Sequence, residues 1–165
     1  MKQLEKIRAE HGTPFYLYDG AAISAQAEVL QAAFPDFTIL FSVKANPFPP
    51  VLKKMAALGI GADAASAKEV DVAAEAGITP ERIYYSAPAP TKEDIAHVFG
   101  RCSMIADSLH ILSLMEDAAA KRNRKLPVGI RIHPTFTMDG SAQVASKFGI
   151  DEALVWNTDF AKAYP

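Results

Sequence analysis

Lys44 closes an apolar run, Ile39-Leu40-Phe41-Ser42-Val43, and is followed at once by Ala45-Asn46-Pro47. Lysine is almost never fully buried unless it is paired or does chemistry. Asn and Pro break strands and open loops, so Lys44 is expected at a strand's exit, where the chain turns away. Burial disfavours the charged form of an amine, and a neutral amine is a nucleophile whose natural electrophile is a carbonyl. On its residues alone Lys44 reads as a Schiff-base lysine, with a phosphate-binding lysine and a snorkelling structural one as alternatives. Asp63, Ser86, Asp107 and His133 also stand at the ends of apolar runs, and Arg131 shares a strand face with His133.

The elements that position these residues alternate in type. FTILFSVKA (37–45) reads as a strand, and Pro49-Pro50 opens a helix that Gly59 stops. A short strand near 60–63 leads to Ser66-x-x-Glu69, a capping box, and a helix ending at Gly77. RIYYSAP (82–88) is the next strand, then Thr91-x-x-Asp94 and its helix. SMIAD (103–107) precedes a helix from Ser108 to Arg122, and LPVGIRIHP (126–134) is the fifth strand. After a polar loop and Ser146-Lys147-Phe148-Gly149, Asp151 caps a last helix. The polar exits recur roughly every twenty residues, which means β/α units and a parallel sheet. Right-handed crossovers put all strand C-termini on one side, the side where α/β folds build their sites. Period-two alternation places Leu40, Ser42 and Lys44 towards the interior and Ile39, Phe41 and Val43 towards the helices. Ahead of the repeat, TPFYLYD (13–19) alternates as an extra strand, and Asp19 caps an Ala-rich helix running to about Phe34.

Composition narrows the class. The 165 residues are 50% hydrophobic and 22% charged, with a net charge of −2. That supports a core and excludes the basic surface of a nucleic-acid or membrane binder. The run Lys121-Arg122-Asn123-Arg124-Lys125 reads as a solvated helix end, with a basic patch as the alternative. The single cysteine, Cys102, excludes an intramolecular disulfide and any multi-cysteine metal site, and no metal is expected. His11, His97 and His110 have no companions at ligand spacing and read as surface or satisfied histidines. MKQLEKIRAEHG lacks the apolar core of a signal peptide, and no stretch reaches the roughly 18 to 20 apolar residues of a spanning helix. A cytoplasmic location is the expectation.

FSVKANP, preceded by TPFYLYD, resembles the lysine motif of the fold-type III pyridoxal-phosphate-dependent decarboxylases that act on diaminopimelate, ornithine, lysine or arginine. The likeness continues through GIGADAASAKEVDVAAEAGITPERIYYSAP, IADS, PVGIRIHP and SKFGI, in the family's order over nearly the whole chain. It implies the N-terminal part of an alanine-racemase-like (β/α)8 TIM barrel, about five β/α units preceded by an extra strand and helix. The implied division is 1–35 for the N-terminal strand and helix and 36–165 for the partial cofactor-binding barrel. Pyridoxal 5'-phosphate is the implied cofactor, an electron sink for the carbanion left by decarboxylation. Lys44 becomes its Schiff-base lysine and Asp63 the acidic residue beside it, with a loop carboxylate or helix cap as the alternative for Asp63. Arg131 falls in the cofactor layer, against an ion pair at the barrel mouth.

Glu69 matches a family glutamate, but its capping role already accounts for it. His133 departs from the R-V-N-P context of many relatives, and the family's ring-stacking histidine comes later, so it is not expected to be a catalyst. Lys147 resembles a residue near the subunit interface and active-site rim, and is expected to meet a partner's carboxylate across a homodimer. The SKFG spacing and TPFYLYD favour a diaminopimelate-like substrate. A cofactor carrier without a reaction of its own and an alanine-racemase-like enzyme are the competing readings. A complete barrel takes about 250 residues. The family's phosphate loop, its later histidine and its β-domain have no counterpart here, so the chain is expected to be a fragment, poorly stable and inactive alone.

Overall fold

The computed structural model describes residues 2–137 and 146–164. The polar loop expected after His133 runs into 138–145, outside the described residues. Two compact units result, Met1–Pro35 and Asp36–Pro165.

The first unit holds two helices. α1 (Lys2–His11) was not evident from the sequence pattern; exposed pairs Glu5–Arg8 (3.0 Å) and Lys6–Glu10 (3.9 Å) sit at helical spacing along it. α2 (Gly20–Ala33) starts as expected, because one carboxylate oxygen of Asp19 accepts from the amides of Ala21 and Ala22. Between them the expected strand over 13–19 is not formed. Its alternating pattern satisfies one requirement of a strand, but a strand also needs a neighbour to pair with, and no ladder reaches these residues. Tyr16 stands 91% exposed in consequence.

The second unit is built on a five-stranded sheet of parallel neighbours in the order β1 (Leu40–Ser42), β2 (Gly61–Ala64), β3 (Ile83–Tyr85), β4 (Ser103–Ala106) and β5 (Val128–Ile130). Between them run α3 (Pro49–Ala57), α4 (Ala67–Glu75), α5 (Lys92–Val98) and α6 (Leu109–Lys121). This is the β/α alternation expected of the barrel's first units. Strand residues alternate as the pleat demands: Ala62, Ala64, Ile83, Tyr85, Met104 and Ala106 are buried with Leu52, Val70, Ile95 and Leu112 of the helices in one core. The opposite face, which carries Ser42, Asp63, Tyr84 and Ile105, is only half-buried.

Local devices fix the helix starts. Thr91 and Asp94 form the full capping box. Ser66 accepts from the Glu69 amide, but the Glu69 carboxylate reaches back one residue further than the box requires, to the amide of Ala65 (2.9 Å). The basic run also has structure: Arg122 stacks on Phe99 (4.8 Å) and donates to the Ala118 and Ala96 carbonyls, tying α6 to α5. His97 is satisfied as expected, at 2.9 Å from Asp71, which Arg101 also contacts at 2.7 Å. Those contacts, the His97 hydrogen bond first, hold the Asp71 carboxyl below the usual carboxylate range.

The fifth strand divides at Arg131. Its amide donates to the Ala106 carbonyl, continuing the β4–β5 ladder, while its carbonyl accepts from Ile150. The chain then pairs as β6 (Ile132–His133) with a short strand the sequence did not announce, β7 (Ile150–Asp151). Two short helices follow, α7 (Glu152–Trp156), with Asp151 in the cap position but making no side-chain cap bond, and α8 (Phe160–Ala163). Thr135 donates to the Glu152 carboxylate through amide and hydroxyl, which hold that carboxyl low.

Candidate active site at the strand exits

The C-terminal ends of the strands carry several of the polar residues that the sequence singles out. β1 and β2 run in register with Ser42 opposite Asp63. The Ser42 hydroxyl donates to Asp63 Oδ2 at 3.1 Å, so a half-buried carboxylate is held on the half-covered face of the sheet. That contact does not make Asp63 a helix cap, since α4 takes Ser66 as its N-cap.

Lys44 lies just beyond the strand rather than in it. β1 ends at Ser42, and Val43–Ala45 turn in one 3₁₀ step, closed by the Asn46 amide on the Val43 carbonyl (3.1 Å). A 3₁₀ turn has a three-residue period, so the two-residue rule stops applying just before Lys44. Val43 is fully buried, whereas Lys44 is exposed, not enclosed in an apolar cavity. Lys44 instead lines a cleft with Pro47, Ser66, Lys68, Glu69 and Val72, between the turn and the first turns of α4.

Arg131 belongs to the same sheet face as Asp63, by the register that sets Ile105 against Gly129 two residues earlier. Its Nη1 lies 3.3 Å from Oδ1 of Asp107, a carboxylate only 5% exposed. Its guanidinium also lies over the Phe148 ring at 4.7 Å, with the Lys147 ammonium over the same ring at 5.1 Å. The ion pair weighed for Arg131 is therefore present, and the side chain is still 46% exposed. His133 is half-buried on β6 opposite Asp151.

Sequence reasoning passed over two members of this group. Asp107 stood among the polar strand exits but was given no role, because its partner lies 24 residues along the chain. Phe148 was quoted within SKFG and given none. Among the described residues, no group of three or more His, Cys, Asp or Glu side chains could hold a metal ion. No helix among them is long and apolar enough to cross a membrane.

The donor set is therefore an accessible amine, a carboxylate fixed by a serine, and a guanidinium with donors to spare. By chemical type these groups suit a small flat ligand bearing a carbonyl, a cationic nitrogen and an anionic group.

Residues 20–163 match the family described as the pyridoxal binding domain of pyridoxal-dependent decarboxylases, and the chain belongs to that family. It is similar to a diaminopimelate decarboxylase of Aquifex aeolicus, with 32% identity over 155 residues, 90% of this chain and 37% of the relative. It is also similar to a decarboxylase of L-glutamyl acyl-carrier protein from Niallia circulans, 35% identical over 150 residues, 87% of this chain and 35% of the relative. Among solved structures, diaminopimelate decarboxylase from Helicobacter pylori complexed with L-lysine superposes with a TM-score of 0.82 at 27% identity, covering 93% of this chain and 41% of that one. The chain thus spans somewhat over a third of the length of the curated relatives named here. The family's cofactor is pyridoxal phosphate, for which the donor set is chemically suited.

Proposed function

We propose that the chain is the cofactor-binding part of a pyridoxal-phosphate-dependent decarboxylase of a diaminopimelate-like amino acid, with Lys44 holding the cofactor. The observation that best supports this reading is the Ser42–Asp63 hydrogen bond, which fixes a carboxylate beside the strand end that leads directly into Lys44. When bound, pyridoxal phosphate supplies an electron sink for the charge left as a carboxylate departs. Lys44 would hold it through its amine, which its exposure leaves open to an aldehyde. Asp63 would balance a cationic nitrogen and keep a proton on it, and the serine bond would stop the carboxylate from turning away. Arg131 would donate to an anionic oxygen through the N–H groups that Asp107 leaves unused. Glu69, bonded to the Ala65 amide, serves the start of α4.

Diaminopimelate is favoured because it is named for several of the relatives, the Aquifex and Zymomonas proteins among them. The homodimer, with Lys147 meeting a partner's carboxylate, and the cytoplasmic location belong to the same reading. The 165 residues alone are expected to release no carbon dioxide from diaminopimelate, since they span only 37% of the Aquifex relative. A soluble, monomeric preparation that did so would overturn that expectation.

The direct test is to add pyridoxal phosphate, reduce with borohydride, and map the modified lysines by mass spectrometry. Modification concentrated on Lys44 is expected. Labelling spread evenly over Lys44, Lys53, Lys54 and Lys68 would remove Lys44 from the site.

A further inference from the structure

Asp107 is the one buried charged residue among those described, at 5% exposure. A buried carboxylate has to be compensated, and the cation that meets it is Arg131, at 3.3 Å. The contact uses one nitrogen, Nη1, of a group that carries five N–H donors. A single such bond leaves a guanidinium free to swing about it. The second restraint comes from Phe148, whose ring lies under the guanidinium at 4.7 Å. Ring and carboxylate together restrain the group from two sides.

The backbone explains why Phe148 is there. Gly149 has φ +87°, and a Cβ on it would lie 2.9 Å from the His133 amide nitrogen. Only glycine lets β7 approach β6 so closely, and the next residue, Ile150, donates to the carbonyl of Arg131 itself (2.8 Å). The Phe148-Gly149-Ile150 segment therefore clasps Arg131 by side chain and main chain at once.

We infer that Asp107 and Phe148 are positioning residues that hold Arg131 with the unused edge of its guanidinium presented to an anionic oxygen of the cofactor. The inference rests on the cofactor reading above. It assigns the SKFG segment work within the subunit, apart from any interface.

The test titrates borohydride-trapped pyridoxal phosphate on Lys44 in the wild-type chain, Asp107→Asn, Arg131→Lys and the double variant, with circular dichroism reporting the fold. Each single variant is expected to raise the half-labelling concentration about tenfold, and the double variant no further, because both changes remove the same interaction. Phe148→Leu, which removes no charge, is expected to shift it less, about threefold. Asp107→Asn labelling like the wild type, or single effects that multiply to about a hundredfold in the double variant, would overturn the inference. A readout without cofactor is the nitrogen NMR spectrum of Arg131. Separate, slowly exchanging Nη signals are expected in the wild type and one averaged signal in Asp107→Asn. A wild type that labels no lysine selectively overturns the cofactor reading, whereas averaged Arg131 signals in a chain that does label Lys44 overturn the positioning alone.

Discussion

At the scale of single residues, the most exacting feature outside the site is Tyr85. It is 1% exposed on the helix-facing side of β3, and its hydroxyl has no hydrogen-bond partner among the described residues. An unmet buried hydroxyl costs about 1–3 kcal/mol, part of which a phenylalanine of the same shape recovers. Tyr85→Phe is therefore expected to stabilise the chain by about 1 kcal/mol, a rise of about 2–4 °C in melting temperature. Burial first, and then the charge of Asp94, push that hydroxyl up to about 12 from 10.0, and burial pushes the Cys102 thiol up to about 12 from 9.0. Both groups bind their protons more tightly folded than unfolded, so the stability they confer is complete below pH 9 and declines as pH rises towards about 12. Melting temperature recorded against pH should stay level from neutrality to about 9 and then fall, with a shallower fall in Tyr85→Phe. An alkaline limb identical in the two proteins would contradict this.

Among the elements, the turns and caps make separable contributions. Thr91 both accepts from the Asp94 amide (3.1 Å) and donates to its carboxylate (2.7 Å). Thr91→Ala is expected to cost about 1 kcal/mol in chemical denaturation. Gly149→Ala should cost clearly more than about 1 kcal/mol, because it adds a steric conflict to an unfavourable φ. Equal losses for the two would argue against the close β6–β7 approach. These cases also mark what a sequence can announce. Thr91 and Asp94 lie three residues apart, and the helix start they mark was legible because all its partners are local. The Asp19 cap was legible for the same reason. Lys44 follows the end of β1 directly, but the three-residue turn that carries it was not legible from a two-residue strand pattern. β7 is two residues long and has no period to read. TPFYLYD has the period but lacks a neighbour. Asp107 and Arg131 are both visible in the sequence, yet only the sheet brings them within 3.3 Å.

For the whole molecule, the decisive fact is that α3 to α6 share a single core with one face of the parallel sheet. Parallel sheets are ordinarily covered on both faces. Here the face bearing Leu40, Tyr84 and Ile105 is half-buried, and Ile132 (45%), Phe136 (61%) and Trp156 (79%) are exposed in the same unit. The isolated chain is expected to bind a hydrophobic dye and to associate as its concentration rises, measured by fluorescence and sedimentation velocity. A monomer that leaves the dye dark at high concentration would mean that this face is covered. The strand order has a further consequence, for how the chain is made. Because each of β2 to β5 pairs with the strand before it in sequence, every unit of that sheet can dock as soon as it clears the ribosome, without waiting for distant segments. Pulling force on the nascent chain should then rise in steps as β2, β3 and β4 emerge with their helices. A single late rise would mean instead that the early units wait for the rest of the chain.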